Sequence, residues 1–135
     1  MTATHEVTNQ PPPLAGYDAS DDPALLEALG REGAETAVPG IRQLGRLAGA
    51  GDSQENGRLA NDNPPELRTH DRYGHRLDEV EFHPAWHELM ATAVQSGLHA
   101  APWQAATPGA HVARAAGLYV WGQAGWNSTS SRRWP

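Results

Sequence analysis

Apolar positions recur at helical spacing in four stretches of the chain, set apart by prolines and glycines. The strongest runs from Pro84 to Ser96, where Trp86, Leu89, Met90, Ala93 and Val94 fall at i, i+3, i+4, i+7 and i+8 and Gly97 closes the run. This spacing predicts an amphipathic helix with Trp86 on its core-facing stripe. Leu25, Leu26 and Leu29 follow Asp22-Pro23, a cap candidate and a proline suited to a first helical turn, and predict a helix from Pro23 to about Glu32 ended by Gly33. Pro39 opens a helix to about Gly49, with Ile41, Leu44 and Ala48 on one face and Arg42 and Arg46 on another, ended by Gly49 and Gly51. Thr107-Pro108 caps a last helix through about Gln123. Its Ala113, Ala116 and Gly117 make a small-residue face that permits close helix approach, beside Val112, Tyr119 and Val120.

Between these stretches the local chemistry decides. Asp52-Ser-Gln-Glu55 has capping-box spacing and predicts a helix from Ser53 to Asp62, which Asn63-Pro64-Pro65 stops because the residue before a proline disfavours the helical region. Glu66 to Phe82 reads as irregular, with Asp71-Arg-Tyr-Gly74 suited to a type I turn and Leu77, Val80 and Phe82 able to feed a minimal hairpin. Pro11-Pro12-Pro13 favours an extended arm over residues 1–17. Over residues 124–135, Trp126 and Trp134 sit among serines, a threonine and Arg132-Arg133, where a tryptophan has no packing logic. The expected architecture is all-α: about five helices over residues 18–123, a short irregular or hairpin segment, an N-terminal arm and a divergent tail.

Composition makes the core thin. Leu, Ile, Val and Phe together supply twenty of 135 residues, a share under which chains begin to look disordered. Gly and Pro number 14 and 11 and tax every regular element. Such a chain forms helices but leans on a partner to stabilise them. The absence of Cys removes disulfides, thiolate nucleophiles and cysteine-based zinc sites. Net charge is −6, every basic residue is arginine, and no acidic residue follows Glu88; this balance opposes broad capture of nucleic acid, although a local arginine contact stays open. The first residues lack the features of a secretory signal and no stretch is long enough to span a bilayer, so the expected location is the cytoplasm.

Catalytic motifs are missing from the pattern. His83 and His87 have the i, i+4 spacing of a ligand pair, with Glu88 beside them and His75, Glu79 and Glu81 nearby. His83 precedes Pro84, however, which predicts an N-cap, and no spacing marks a third ligand. No Gly-x-Ser-x-Gly elbow or phosphate-binding loop occurs, and the serines cluster at Ser128, Ser130 and Ser131. The pairs Asp21-Asp22 and Asp78-Glu79 suit caps and turns better than acid/base work. Trp86, Trp103 and Trp121 offer rings for stacking on a base or a flavin, but the stripe assigns Trp86 to the core. No catalytic, cofactor-binding or metal-binding residue is therefore assigned.

Two longer blocks carry more. Gly57-Arg-Leu-Ala-Asn61-Asp-Asn-Pro64-Pro-Glu-Leu67, and after Asp71 and Gly74 the run Arg76-Leu-Asp78-Glu-Val80-Glu-Phe82-His-Pro-Ala-Trp86-His, closely resemble the N-terminal region of AidB-like proteins. These are acyl-CoA dehydrogenase-type flavoproteins of the adaptive response to DNA alkylation. Asn9-Gln10-Pro11-Pro12-Pro13-Leu14, Arg31-Glu32-Gly33-Ala34 and His111-Val-Ala-Arg114-Ala-Ala116 add to the resemblance, which extends from about Asn9 to Tyr119.

The resemblance implies an N-terminal helical fragment of such a flavoprotein, inactive by itself. In the family, a β-domain and a C-terminal helical region follow and bind FAD; the flavin contacts, catalytic carboxylate and DNA-binding region lie outside the matched segment, so no cofactor is expected here. It also implies a homotetrameric parent with the proline-bearing arm in inter-subunit contacts, so the expected partners are further copies or the remainder of the parent. The sequence departs from the family pattern after about Val120, as out-of-frame translation would make it do. Two other readings stay open: a stand-alone interaction module using Leu25, Leu29, Trp86 and Met90, and a histidine-based metal-binding domain.

Overall fold

Asp22 starts the first helix as the sequence predicts, its side chain accepting the Ala24 N–H at 2.9 Å ahead of Pro23. The structure is a computed structural model that describes residues 15–125. Helix α1 (Pro23–Arg31) ends at Gly33, whose φ of +73° lets Ala34 N–H return to the Leu29 carbonyl at 2.8 Å. A 3₁₀ turn at Glu35–Ala37 leads into α2 (Val38–Gly49). The next helix, α3 (Gly51–Asp62), follows after the single extended residue Ala50. Beyond the hairpin strands β1 (Glu66–His70) and β2 (Arg76–Glu81) come α4 (Pro84–Gln95), the one-turn α5 (Ala101–Gln104) and α6 (Ala110–Trp121), which closes in a 3₁₀ turn at Gly122–Ala124. None of the described helices is long and apolar enough to cross a membrane.

Several expectations need correction. Gly51 does not end α2 but opens α3, and the Asp52–Glu55 capping box does not form: the N-cap is Ala50, with no side-chain cap bond. The start is fixed by Gln54, whose Nε2 donates to the Ala48 carbonyl at 2.9 Å and the Gln123 carbonyl at 2.8 Å. Glu55 is thereby left to pair with Arg58. Thr107 does not cap the last helix either; Gly109, in the left-handed region at φ +74°, occupies the N-cap, and Ala110 N–H bonds the Thr107 carbonyl at 3.1 Å. The strictly all-α expectation gives way to a helical fold with one antiparallel hairpin.

In that hairpin Leu67 pairs with Val80 and Arg68 with Glu79, and a bulge on β2 places Asp78 at φ +52°. Asp71 organises the turn, its Oδ1 accepting the N–H groups of Tyr73 at 2.8 Å and His75 at 2.9 Å. Every strand residue is exposed, and Phe82 lies past the strand.

The core is built where helix backbones approach closely. A Cβ on Gly57 of α3 would stand 1.8 Å from the Ala124 carbonyl oxygen, and one on Gly49 would stand 1.7 Å from that of Tyr17. Only glycine fits either position. The larger apolar cluster joins Leu44, Ala48, Ala60, Ala85, Leu89, Ala93, Leu98, Trp121 and Ala124; a second joins Leu29, Ala34, Ile41, Ala116 and Val120. Alanine supplies five of the nine residues of the larger cluster, so the indole of Trp121 supplies much of its volume. Ala124, which the sequence reading assigned to the divergent tail, is part of this core. Residues 1–14, with the proline run, and 126–135, with Trp126, Trp134 and the three tail serines, lie outside the described residues.

The stripe on α4 is rotated from its predicted setting. Ala85, Leu89 and Ala93 are buried, Trp86 and Met90 are half-buried, and Val94 is exposed. The reason is the neighbour: α3 meets α4 through Ala60, and an alanine-to-alanine contact brings two helices closer than one centred on an indole would allow.

Candidate functional site

The histidines disperse. His83 Nδ1 accepts the Ala85 N–H at 3.2 Å, so the ring caps α4 as the sequence predicts. His87 stands edge-on to Trp86 at 5.4 Å between centroids, and His75 Nδ1 lies 2.9 Å from Asp71 Oδ2. No group of three metal-ligating side chains gathers among the described residues. Three of the four carboxylates are occupied: Asp21 meets Arg42 at 2.7 Å, Asp22 caps α1 and Asp78 meets Arg76.

The tryptophans divide into three environments. Trp86 stacks on Phe82 with centroids 4.2 Å apart and planes tilted 28°, forming a half-buried lid where the hairpin joins α4. Trp121 is buried, with Nε1 making no hydrogen bond among the described residues. Trp103, on α5, is 68 % exposed. The guanidinium of Arg114 lies 5.3 Å from its ring centroid and His111 meets it edge-on at 5.6 Å.

Arg114 also lines a groove on the described surface. This groove, of about 690 Å³, opens between α2, the C-terminal end of α4, α5 and the first turns of α6, walled by Ile41, Leu44, Leu47, Leu98 and Ala113. Arg114 is the one charged side chain lining it, and its Nε donates to the Leu98 carbonyl at 2.6 Å. The sequence pattern gave no sign of this groove, because its walls come from four elements distant along the chain. Perturbed ionisations lie elsewhere. Hydrogen bonds from His75 and the turn backbone hold the Asp71 carboxyl below its ordinary range, and Arg58 does the same for Glu55. Glu55 and Asp62 in turn raise the Arg58 guanidinium. All three are surface effects with no acid/base partner in the groove.

A helical bundle with one exposed hairpin has the fold of one segment of the acyl-CoA dehydrogenases. The chain superimposes on ACDH-11 of Caenorhabditis elegans, solved in complex with C11-CoA, with a TM-score of 0.64 over 92 % of this chain and 22 % of that one, at 20 % identity. It also matches a protein solved as Bd2924 in its apo form, with a TM-score of 0.68 over 77 % of this chain and 22 % of that one, at 24 % identity. Residues 9–131 match the adaptive response protein AidB N-terminal domain, and the chain belongs to that family. It is 48 % identical over 115 residues to the acyl-CoA dehydrogenase homologue AidB of Escherichia coli (strain K12). That match covers 84 % of this chain and 21 % of the relative, so the chain spans about a fifth of the length of the proteins it resembles.

Proposed function

We propose that this chain is the N-terminal helical part of an AidB-type, acyl-CoA dehydrogenase-like flavoprotein and has no flavin-dependent activity by itself. The parent activity is flavin-dependent oxidoreduction or protection of DNA in the alkylation response. The same reading places the chain in the cytoplasm and in contact with the remainder of the parent or with further copies. The observation that carries it is the family match over residues 9–131 of a chain about a fifth as long as its relatives. The side chains lining the groove do not fit FAD. Its pyrophosphate needs convergent donors, and the groove offers Arg114 alone as a charged group, with Nε already committed to the Leu98 carbonyl. A flavin-bearing part of the parent would supply the hydride acceptor, and this segment the packing surface.

Of the residues the interaction-module reading uses, Leu29 is fully buried and leaves the docking face, while Leu25, Trp86 and Met90 are half-buried. To test the proposal, the purified chain is incubated with excess FAD and passed over a gel-filtration column. It should emerge without flavin; a stoichiometric yellow complex would overturn the assignment.

A further inference from the structure

The hairpin leaves its apolar residues uncovered. In its register Leu67 lies opposite Val80, and the two are 61 % and 44 % exposed. Glu66, Arg68, Glu79 and Glu81 belong to the other face, since side chains alternate along a strand. A two-stranded sheet with neither face packed is marginal in water. One face lacks a cover and the other lacks cations: Glu66 to Glu81 carries five carboxylates against three arginines. Arg68 bridges to Glu81 and Arg76 to Asp78, which leaves Glu66 and Glu79 with no ion-pair partner among the described residues.

A segment of this same chain has the matching chemistry and starts close by. Gly125 is the last described residue, and its carbonyl accepts from Asn61 Nδ2 at 3.4 Å. Asn61 stands at the C-terminal end of α3, six residues before Leu67, so at most about 22 Å separates those two along the chain. Nine extended residues can carry Trp134 about 30 Å from Gly125, which is reach enough. Residues 126–135 hold two tryptophans, two arginines and no acidic side chain. Arg133 and Trp134 are neighbours, as are Glu79 and Val80. Two such pairs extended side by side set guanidinium against carboxylate on one face and indole against isopropyl on the other.

We propose that residues 126–135 dock along the open edge of β2 as an intramolecular third strand, with Arg133 meeting Glu79 and Trp134 covering Val80 and Leu67. Running outward from the base of the hairpin, the tail lies antiparallel to β2, the more stable ladder. The tether sets an effective concentration on the order of millimolar, so a contact too weak to hold a separate molecule holds here. The tail gives the hairpin the third strand that an independent sheet needs. This inference does not rest on the flavoprotein assignment, and its failure leaves the flavin result untouched.

Paramagnetic NMR on the full 135-residue chain tests it. The chain has no cysteine, so Pro135→Cys accepts a single nitroxide. The label should broaden the amide signals of Leu67 and Val80 and spare those of Gly40 and Ala110 in the groove. Trp134→Ser in the labelled chain should remove the broadening. Arg133→Glu should lower the ratio of docked to free tail by about twofold to fivefold, the range of one cross-strand charge pair, and adding Glu79→Arg should restore it. Circular dichroism checks that each variant keeps its helices. Hairpin signals that stay sharp, broadening that survives Trp134→Ser, or a double charge reversal that restores nothing would overturn the proposal. Labelled chain without isotope mixed with isotope-enriched unlabelled chain should show no hairpin broadening. Broadening in that mixture would mean that the tail of a separate molecule seats there, and would overturn the intramolecular assignment.

Discussion

Burial separates two of the three tryptophans that the sequence set side by side as candidates. Trp121 is 1 % exposed at the centre of an alanine-rich cluster, so Trp121→Ala should destabilise by about 3–5 kcal/mol in a denaturant titration. Trp121→Phe should cost distinctly less, since the lost Nε1–H has no hydrogen bond to forfeit among the described residues. Trp86, half-buried against Phe82, should cost less than Trp121 when cut to alanine, and an equal loss would contradict the rotated face of α4. His83 caps α4 in this fold. His83→Ser should hold the melting temperature or raise stability by up to ~1 kcal/mol, because serine accepts the orphan N–H groups better than an imidazole does. A clear loss would show that the ring has a further partner.

At the level of elements, the hairpin depends on its turn and on little else. Asp71 accepts two backbone N–H groups, and both strands are exposed, so Asp71→Ala should abolish amide protection at Tyr73 and His75 while leaving the helical signal intact. The pH dependence has a definite sign. The Asp71 carboxyl is held below its ordinary value of 3.8 in the folded turn, chiefly by the hydrogen bond with His75. Its contribution is therefore complete above that value and is lost as pH falls through the depressed one. Protection of the His75 amide, followed by NMR on lowering the pH, should fade only below the ordinary aspartate range; loss near neutrality would exclude this cause. The helices behave differently, since α3 has almost no apolar side chains and is held through Gly57, Ala60 and the Gln54 bonds.

For the molecule as a whole, a core this rich in alanine buries little apolar surface per residue, and association offers what the interior lacks. The melting temperature of the wild-type chain should rise with protein concentration, as mass action requires when the folded state is the one that associates. A melting temperature independent of concentration would mean that the thin core suffices alone.

The sequence by itself determined the elements whose signals are local. Asp22-Pro23, His83-Pro84, Gly33 and Gly97 set the bounds of α1 and α4, and Asp71 to Gly74 made the turn, because caps and turns are decided within a few residues. It also determined the family, through the blocks around Asn63-Pro64-Pro65 and Phe82-His83-Pro84. Tertiary structure decided the rest. The start of α3 was set by a glutamine reaching Gln123, the buried face of α4 by how closely α3 approaches, and the placement of Trp121 by the cavity that surrounding alanines leave. The groove is the clearest case. Ile41, Leu98 and Arg114 meet there only after α2, α4, α5 and α6 have packed, and a spacing rule within one helix has no access to a surface shared by four.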